Sequence, residues 1–281
     1  MTAPLLGSPS TTALHVMTLN IRRDLGALAW PRADRWEVRR SRLRALLRAE
    51  QPDVLGVQEA LPAQAAEVSA ALGPSFHRVG HGRLAGPRGE GCPLFYDADR
   101  LELRGWRQVA LSRTPDRPGS RSWLSVSPRV VVEASFRDRR TGAVLTVLNT
   151  HLDAFSPWAR LRQAQRVHDI AATSTVPVIL LGDFNAPAGT APWRALEADG
   201  ILRDAWTAAV SRRTPPWSTF AGYQSPRRGR RIDGILTSPA LPVRRAGTNA
   251  RQYGGGWPSD HLPVQALIDL APAVIPPEET A

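Results

Sequence analysis

The chain has 281 residues, 42% of them hydrophobic, with a net charge of +11 and a pI near 11.3; this length and composition suit one domain around one sizeable core. The single cysteine, Cys92, excludes an intramolecular disulfide, no Cys/His cluster has structural-zinc spacing, and no window approaches the ~18 apolar residues of a membrane span. All 36 basic residues are arginine, a usage that a GC-rich genome produces without changing charge, so the basic surplus still needs a reason; a polyanionic substrate is one.

The opening stretch MTAPLLGSPSTTA has neither the charged segment nor the long apolar run of a secretory signal, which predicts a soluble, cytoplasmic protein. Short apolar runs rich in β-branched residues then recur. LHVMTL from position 14, VLGV from 54, VVVEASF from 130, AVLTVL from 143, VPVILL from 176 and IDGIL from 232 are predicted strands. Between them, RWEVRRSRLRALLRAE places Trp36, Leu43, Leu46 and Leu47 on one helical stripe with arginines opposite. WARLRQAQRVHDIAA does the same with Leu161, Val167 and Ile170. Pro/Gly-rich stretches at 80–93, 112–122 and 212–231 read as long surface loops. The pattern predicts an α/β or α+β domain rich in sheet over 14–270, with residues 1–13 and 271–281 as terminal tails.

Polar residues end the apolar runs. Asn20 follows the first, Gln58 and Glu59 the second, Asn149, Thr150 and His151 the fourth, and Gly182, Asp183 and Asn185 the fifth; Asp233, Asp260 and His261 come near the far end. Taken singly, a carboxylate or amide at a strand end caps a turn, and a lone histidine is a structural residue. Together they would converge on one rim of a sheet, where strand ends hold side chains rigidly and loops supply a cleft. Carboxylate and amide oxygens without thiolates suit Mg²⁺ or Mn²⁺ better than zinc, and such an ion polarises a phosphoryl oxygen.

The segments TLNIR, QE, GEGCPLFYDADR, NTHLD, GDFN, RIDGIL and SDHLPV occur in this order from about Leu14 to about Leu270. In this set the chain resembles the endonuclease/exonuclease/phosphatase superfamily, which includes pancreatic deoxyribonuclease, abasic-site endonucleases, inositol phosphatases, sphingomyelinases and deadenylases. LSRTPDRPGSRSW and HLDAFSPWARLRQAQ are similar to an uncharacterised bacterial branch related to the deadenylase-like members. The resemblance implies a four-layer α/β sandwich, with two mixed β-sheets face to face and helices outside. It also implies metal-dependent attack of water on a phosphate ester.

The resemblance further implies roles for individual residues. Glu59 would bind the metal, helped by Asn20 and Asp260. Asp183 would accept a proton from the attacking water, and Asn185 would hold that water or a phosphate oxygen. Their spacing of two puts both side chains on one side if the backbone stays extended through Phe184, with Gly182 letting it turn beside the phosphate. His261 would contact the scissile phosphate with Asp233 orienting its ring, while His151, oriented by Glu90, would act as a cation that protonates the leaving oxygen. Arg22, Arg160 and Arg231 are candidates to steady the site or bind phosphate; for Arg160 a solvated helix face is an equal reading. Arg227, Arg228, Arg230 and Arg231 precede Asp233 and would track a phosphate backbone. Trp158, Trp217 and Trp257 fall beside motifs, where packing is the commoner role and stacking on a ring the other. The expected activity is Mg²⁺-dependent hydrolysis of phosphodiesters in nucleic acid by a monomer; the alternative substrate is a small-molecule or lipid head-group phosphate ester.

Overall fold

The computed structural model describes residues 3–7, 12–86 and 88–270. In chain order the strands are β1 (Ala13–Asn20), β2 (Val54–Gln58), β3 (Phe76–Val79), β4 (Gly82–Leu84), β5 (Arg88–Gly91), β6 (Leu94–Asp97), β7 (Leu101–Ala110), β8 (Val130–Asp138), β9 (Val144–His151), β10 (Val178–Asp183), β11 (Arg203–Asp204), β12 (Ser211–Arg212), β13 (Asp233–Thr237), β14 (Val243–Thr248) and β15 (Val264–Asp269). The helices are α1 (Trp36–Glu50), α2 (Pro62–Leu72), α3 (Pro157–Ala172), α4 (Ala191–Leu196) and α5 (Ala205–Ala208).

Two mixed sheets carry the domain. One has seven strands in the order β12-β14-β15-β1-β2-β6-β3, the other six in the order β11-β13-β10-β9-β8-β7, and β4 and β5 form a separate hairpin. β1 runs parallel to β2, and β9 parallel to β10. All eight residues of β1 and all six of β10 are buried. This is the reason these strands read as near-continuous apolar runs: both faces are covered.

Alternation along the strands sorts side chains into three apolar layers. Leu14 and Val16 of β1 and Ile179 and Leu181 of β10 meet between the sheets. Met17 and Leu19 of β1 turn the other way, onto Leu43, Leu46 and Leu47 of α1 and the small face of α2. Val178 and Leu180 of β10 turn onto Val167 of α3 and Trp193 of α4. The result is the expected four-layer sandwich, helix, sheet, sheet and helix.

Several expectations shift. Helix α2 is alanine-rich and lacks a strong apolar stripe, so periodicity missed it. In α3 the buried face is Ala159, Gln163, Ala164, Val167 and Ala171, whereas Leu161 and Ile170 are only half-buried. Residues 80–93 are not one loop but enclose the β4–β5 hairpin, whose Gly91 bridges Ala60. Residues 3–7 are held against the body: Leu6 is buried, and the Leu5 N–H donates to Glu50 at 3.0 Å. The expected tail at 271–281 lies outside the described residues.

Buried polar groups tie the two sheets at both ends. At one end Arg100 is fully buried and joins Asp138 at the end of β8 (2.7 Å) to Asp53 beside β2 (2.8 Å) and the Ala13 carbonyl of β1 (2.8 Å). Towards the other end, Asn149 of β9 accepts from Gln58 Nε2 of β2 at 2.7 Å and donates to the carbonyls of Val57, Cys92 and Pro93. That contact requires glycine at position 56, where a Cβ would stand 2.8 Å from Asn149 Oδ1 and 3.0 Å from Leu181 Cβ.

Arg100→Ala is expected to cost about 3–5 kcal/mol, because it leaves two buried carboxylates without their cation; the urea midpoint of unfolding reads it. Gly56→Ala is expected to cost about 1–3 kcal/mol through overpacking between the sheets, read in the same titration.

Candidate active site

The topology brings the strand ends together. β1 and β2 of one sheet end at Asn20 and Gln58, and β9 and β10 of the other end at His151 and Asp183. β13 runs antiparallel to β10, so its first residue, Asp233, lies opposite Asp183. The turn before β15 adds Asp260 and His261 from the first sheet. Parallel pairing within each sheet, and close packing between them, thus place side chains from positions 22 to 261 around one cavity of about 370 Å³.

Asn20 is the junction. Its Nδ2 donates to Glu59 Oε1 and to Asp183 Oδ2, both at 3.0 Å, while its Oδ1 accepts the Arg22 N–H at 2.9 Å. Glu59 Oε2 accepts the Arg23 N–H at 3.0 Å. Glu59, Arg22 and Asn185 all have left-handed φ (60°, 55° and 49°), backbone strain that persists only where surrounding contacts hold it. For Arg22 those contacts are visible: buried Arg39 grips the carbonyls of Ile21 and Arg22 (2.6 and 3.1 Å), and Ser259 Oγ donates to the Asn20 carbonyl at 2.6 Å.

His261 Nδ1 lies 2.9 Å from Asp233 Oδ2, and its Nε2 lies 3.9 Å from Asp183 Oδ2. Burial works against its charge, but Asp233 and Asp183 raise its pKa to about 10, so it is an imidazolium at neutral pH. Thr219 Oγ1 accepts the N–H groups of Ile232 and Asp233, and Phe220 meets the His261 ring edge-on at 5.1 Å. Burial and the neighbouring Asp233 push Asp183 up to about 7. Burial likewise opposes Glu59's charge, yet the Arg23 N–H, Asn20 and His261 hold its carboxyl below the ordinary range. Asp260 is raised by burial and by Glu59, against His261 and Arg22.

His151 differs from the expectation. Its Nε2 lies 3.6 Å from Asp183 Oδ2, but burial, then Arg129 and Arg83, hold its pKa well below the usual value. It is therefore neutral rather than the cation that would protonate a leaving group. Glu90 does not orient it; Glu90 pairs with Arg83 at 2.7 Å and with Arg23 at 3.4 Å.

Two of the arginines are structural. Arg160 donates to the carbonyls of Asp153 (2.7 Å), Ala154 (3.1 Å) and Asn185, which consumes its guanidinium in shaping the loop. Arg231 is buried between Trp193 and Trp206 and paired with Asp204 at 2.6 Å. Arg22, by contrast, lines the cavity and pairs with Asp34 (3.3 Å) and Asp260 (3.7 Å). Arg227, Arg228 and Arg230 are exposed and lie outside the cavity lining.

The chain does not stay extended through Phe184. β10 ends at Asp183, whose Oδ1 accepts the Asn185 N–H at 2.9 Å, and Asn185 Nδ2 donates to the Leu152 carbonyl at 3.0 Å. Asn185 still lines the cavity. Gly182 is needed for close approach rather than for a turn, since a Cβ there would stand 2.6 Å from the Thr150 carbonyl. Sequence reasoning missed Ser259, Thr219, Arg83 and Arg129. Ser259 lies inside the SDHLPV motif and Thr219 in the loop before RIDGIL, but nothing in their spacing marks a role.

Two oxygen-rich groupings could hold a cation. Asp183, Asp233 and His261 bring ligand atoms within 4.8 Å of one another, but His261 carries its proton against Asp233 and is a poor ligand in that state. Glu59 and Asp260 form the other; Asn20, expected to help them, turns its Nδ2 to Glu59, and its Oδ1 is taken by the Arg22 N–H. The two carboxylates of this grouping repel each other, with His261 and Arg22 as neighbouring cations, and a further positive charge would relieve that repulsion.

A sequence model described as "Endonuclease/Exonuclease/phosphatase family" matches residues 17–261. Among solved structures, a mannosyl-6-phosphatase of Bacteroides thetaiotaomicron VPI-5482 superposes with a TM-score of 0.84 at 28% identity, covering 92% of this chain and 100% of that one. Human Nocturnin is 24% identical over 260 residues, covering 81% of this chain and 57% of Nocturnin, so the chain spans little more than half the length of that relative. The human Nocturnin catalytic domain with bound sulfate shares the fold at a TM-score of 0.67 and 20% identity, covering 93% of this chain and 96% of that one. With its family match running from β1 to the His261 turn, the chain belongs to the Endonuclease/Exonuclease/phosphatase family.

Proposed function

We propose that the protein hydrolyses the phosphate monoester of a compact polar molecule, by attack of water with a divalent cation held at Glu59. The observation that carries this reading is the Asn20 junction: one amide holds Glu59 and Asp183 side by side, with the His261–Asp233 pair against them. Glu59 and Asp260 fit Mg²⁺ or Mn²⁺ because they offer only oxygen and carry surplus negative charge. Bound there, the ion would supply Lewis-acid polarisation of the phosphoryl group and relief of its charge.

The residues of the chain supply the rest. His261, charged and fixed by Asp233, donates its Nε2–H to a phosphate oxygen. Asp183 accepts the proton of the attacking water and needs to be ionised to do so; as the new P–O bond forms, the P–O bond to the alcohol breaks and the leaving oxygen takes a proton from solvent water. Asn185 keeps its amide oxygen and one N–H for the phosphate or the water, because Leu152 takes the other N–H. Neutral His151 orients by hydrogen bonding and carries no acid proton at neutral pH.

Two observations support a compact substrate. The cavity has the volume of a small-ligand pocket, and the Bacteroides mannosyl-6-phosphatase matches nearly the whole of both chains. Nucleic acid is the second reading, favoured by exposed Arg227, Arg228 and Arg230 on the segment that also carries Phe220 to the cavity. Turnover with Mg²⁺ on sugar phosphates, inositol phosphates, bis-p-nitrophenyl phosphate, single-stranded DNA, RNA and duplex DNA decides between them. Cleavage of polymers with no release of phosphate from any monoester would sink the leading reading.

Chelation with EDTA is expected to abolish activity, and Glu59→Ala to regain part of it at high Mg²⁺; full activity in EDTA would rule out the cation at Glu59. Asp183→Asn is expected to lower kcat by about 10²- to 10⁴-fold, the usual worth of a general base. Activity should rise as Asp183 loses its proton, at or below pH 7 because a cation lowers that pKa, and fall as His261 loses its own near pH 10. Asp233→Asn removes the carboxylate that raises His261, so the alkaline limb of a kcat/KM profile should move to lower pH.

A further inference from the structure

The cavity that holds Glu59, Asp183 and His261 is polar at its floor and apolar at its mouth. Phe155 and Phe220 both line it, and they are 73% and 52% exposed. Ala154 and half-buried Ile232 line it beside them. A single apolar side chain in water is ordinary, because much of any protein surface is apolar. Two large rings left in water at one cavity, with buried polar groups beneath them, form the lining that a small-molecule site offers to the apolar part of its ligand.

Both rings are held there by backbone bonds rather than by packing. The Phe155 N–H donates to Asp153 Oδ1 at 2.9 Å, and the next N–H, of Ser156, to the same oxygen at 2.7 Å. Asp153 is buried, Ser125 Oγ donates to its other oxygen at 2.5 Å, and Arg160 grips the carbonyls of Asp153 and Ala154. Around Phe220, Ser218 Oγ donates to the Phe220 carbonyl at 3.0 Å, the Ala221 N–H to the Asp260 carbonyl at 2.8 Å, and the Leu262 N–H to the Thr219 carbonyl at 2.7 Å. A ring whose backbone is fixed in this way gives up little further freedom when a ligand lies against it.

Strand order sets where the rings stand. Phe155 follows β9, Phe220 lies in the segment before β13, and β10, which ends in Asp183, runs between β9 and β13. The two rings therefore flank the Asp183 end, on segments led there by strands two spacings apart, about 10 Å. A flat ring in van der Waals contact on both faces needs roughly 7–8 Å between its neighbours. With the phosphate on the polar floor, the alcohol half of the ester projects to the mouth. There the C–H face of a sugar ring, or the face of a base, meets the negative faces of the phenyl rings.

We propose that Phe155 and Phe220 grip the alcohol half of the substrate, so that the preferred ester carries a flat ring with an apolar face, in its sugar or in an attached base, rather than an open polyol chain. This rests on the phosphoesterase reading of the cavity and adds to it the shape of the leaving group. Covering the two rings removes apolar surface from water, a gain that an open, fully hydroxylated chain does not supply.

The test compares wild type with F155A, F155W and F220A on two pairs of probes, glucose 6-phosphate against sorbitol 6-phosphate and adenosine 5′-monophosphate against ribose 5-phosphate. All four carry the phosphate on a primary alcohol, so leaving-group chemistry is matched. Turnover is measured with Mg²⁺, and binding by calorimetry with Asp183→Asn added to each protein. Wild type is expected to favour the first member of at least one pair by about tenfold in kcat/KM, the scale of one stacked ring. The pair that shows the preference tells a sugar face from a base. F155A and F220A should lose it through KM and Kd, and F155W, which keeps a flat face, should retain it. F155A should melt with wild type, because the side chain it removes is exposed. Equal kcat/KM within both pairs, or a preference that F155A or F220A keeps, would overturn the ring clamp while leaving the phosphoesterase reading intact. Ring-selective binding that F155A loses, without turnover of any ester by wild type, would overturn that reading and leave the clamp standing.

Discussion

One side-chain amide holds the cavity end of the two sheets together. Asn20 belongs to the seven-stranded sheet and Asp183 to the six-stranded sheet, and the 3.0 Å bond between them is made only if the two sheets pack in register. The same nitrogen holds Glu59. The apolar layer between the sheets is non-directional and would tolerate small slides; a buried amide with two carboxylate acceptors would not, because a shift would leave charged oxygens without donors. Asn149 and Gln58 add a second directional tie just behind it, and Arg100 a third at the opposite end.

Clustering four carboxylates in a buried cleft has an electrostatic consequence. Asp233 is spent on His261, which becomes a stable cation, and Asp183 is pushed toward the neutral range by burial and by Asp233. The two histidines of the site consequently take opposite protonation states. His261 lies among carboxylates and keeps its proton, while His151 is buried beside Arg129 and Arg83 and loses it. Identical side chains have been given different chemistry by the signs of their neighbours.

Much of the fold was legible in the chain. The apolar runs at 14, 54, 130, 143, 176 and 232 are core strands, and the arginine-striped helix at 36–50 packs as its leucines require. Strand-end polar residues pointed to the rim, and the cavity gathers Glu59, His151, Asp183, Asn185, Asp260 and His261. Helix α2 was not legible because alanine contributes little apolar contrast, and the β4–β5 hairpin was masked by the glycines and prolines that shape it. The arginines were misread most often. Arg160 and Arg231 sit close in sequence to cavity-lining residues and to Asp233, but their guanidinium groups are taken by backbone carbonyls and by Asp204.

The sequence by itself determined the layers and the chemistry-bearing side chains, since periodicity, composition and motif order are properties of neighbours along a chain. Only the tertiary structure decided which arginines are spent on structure and which histidine is charged. Those properties depend on desolvation and on charges brought within a few ångströms from distant segments, as Arg129 and Arg83 are brought to His151, and no local pattern records them.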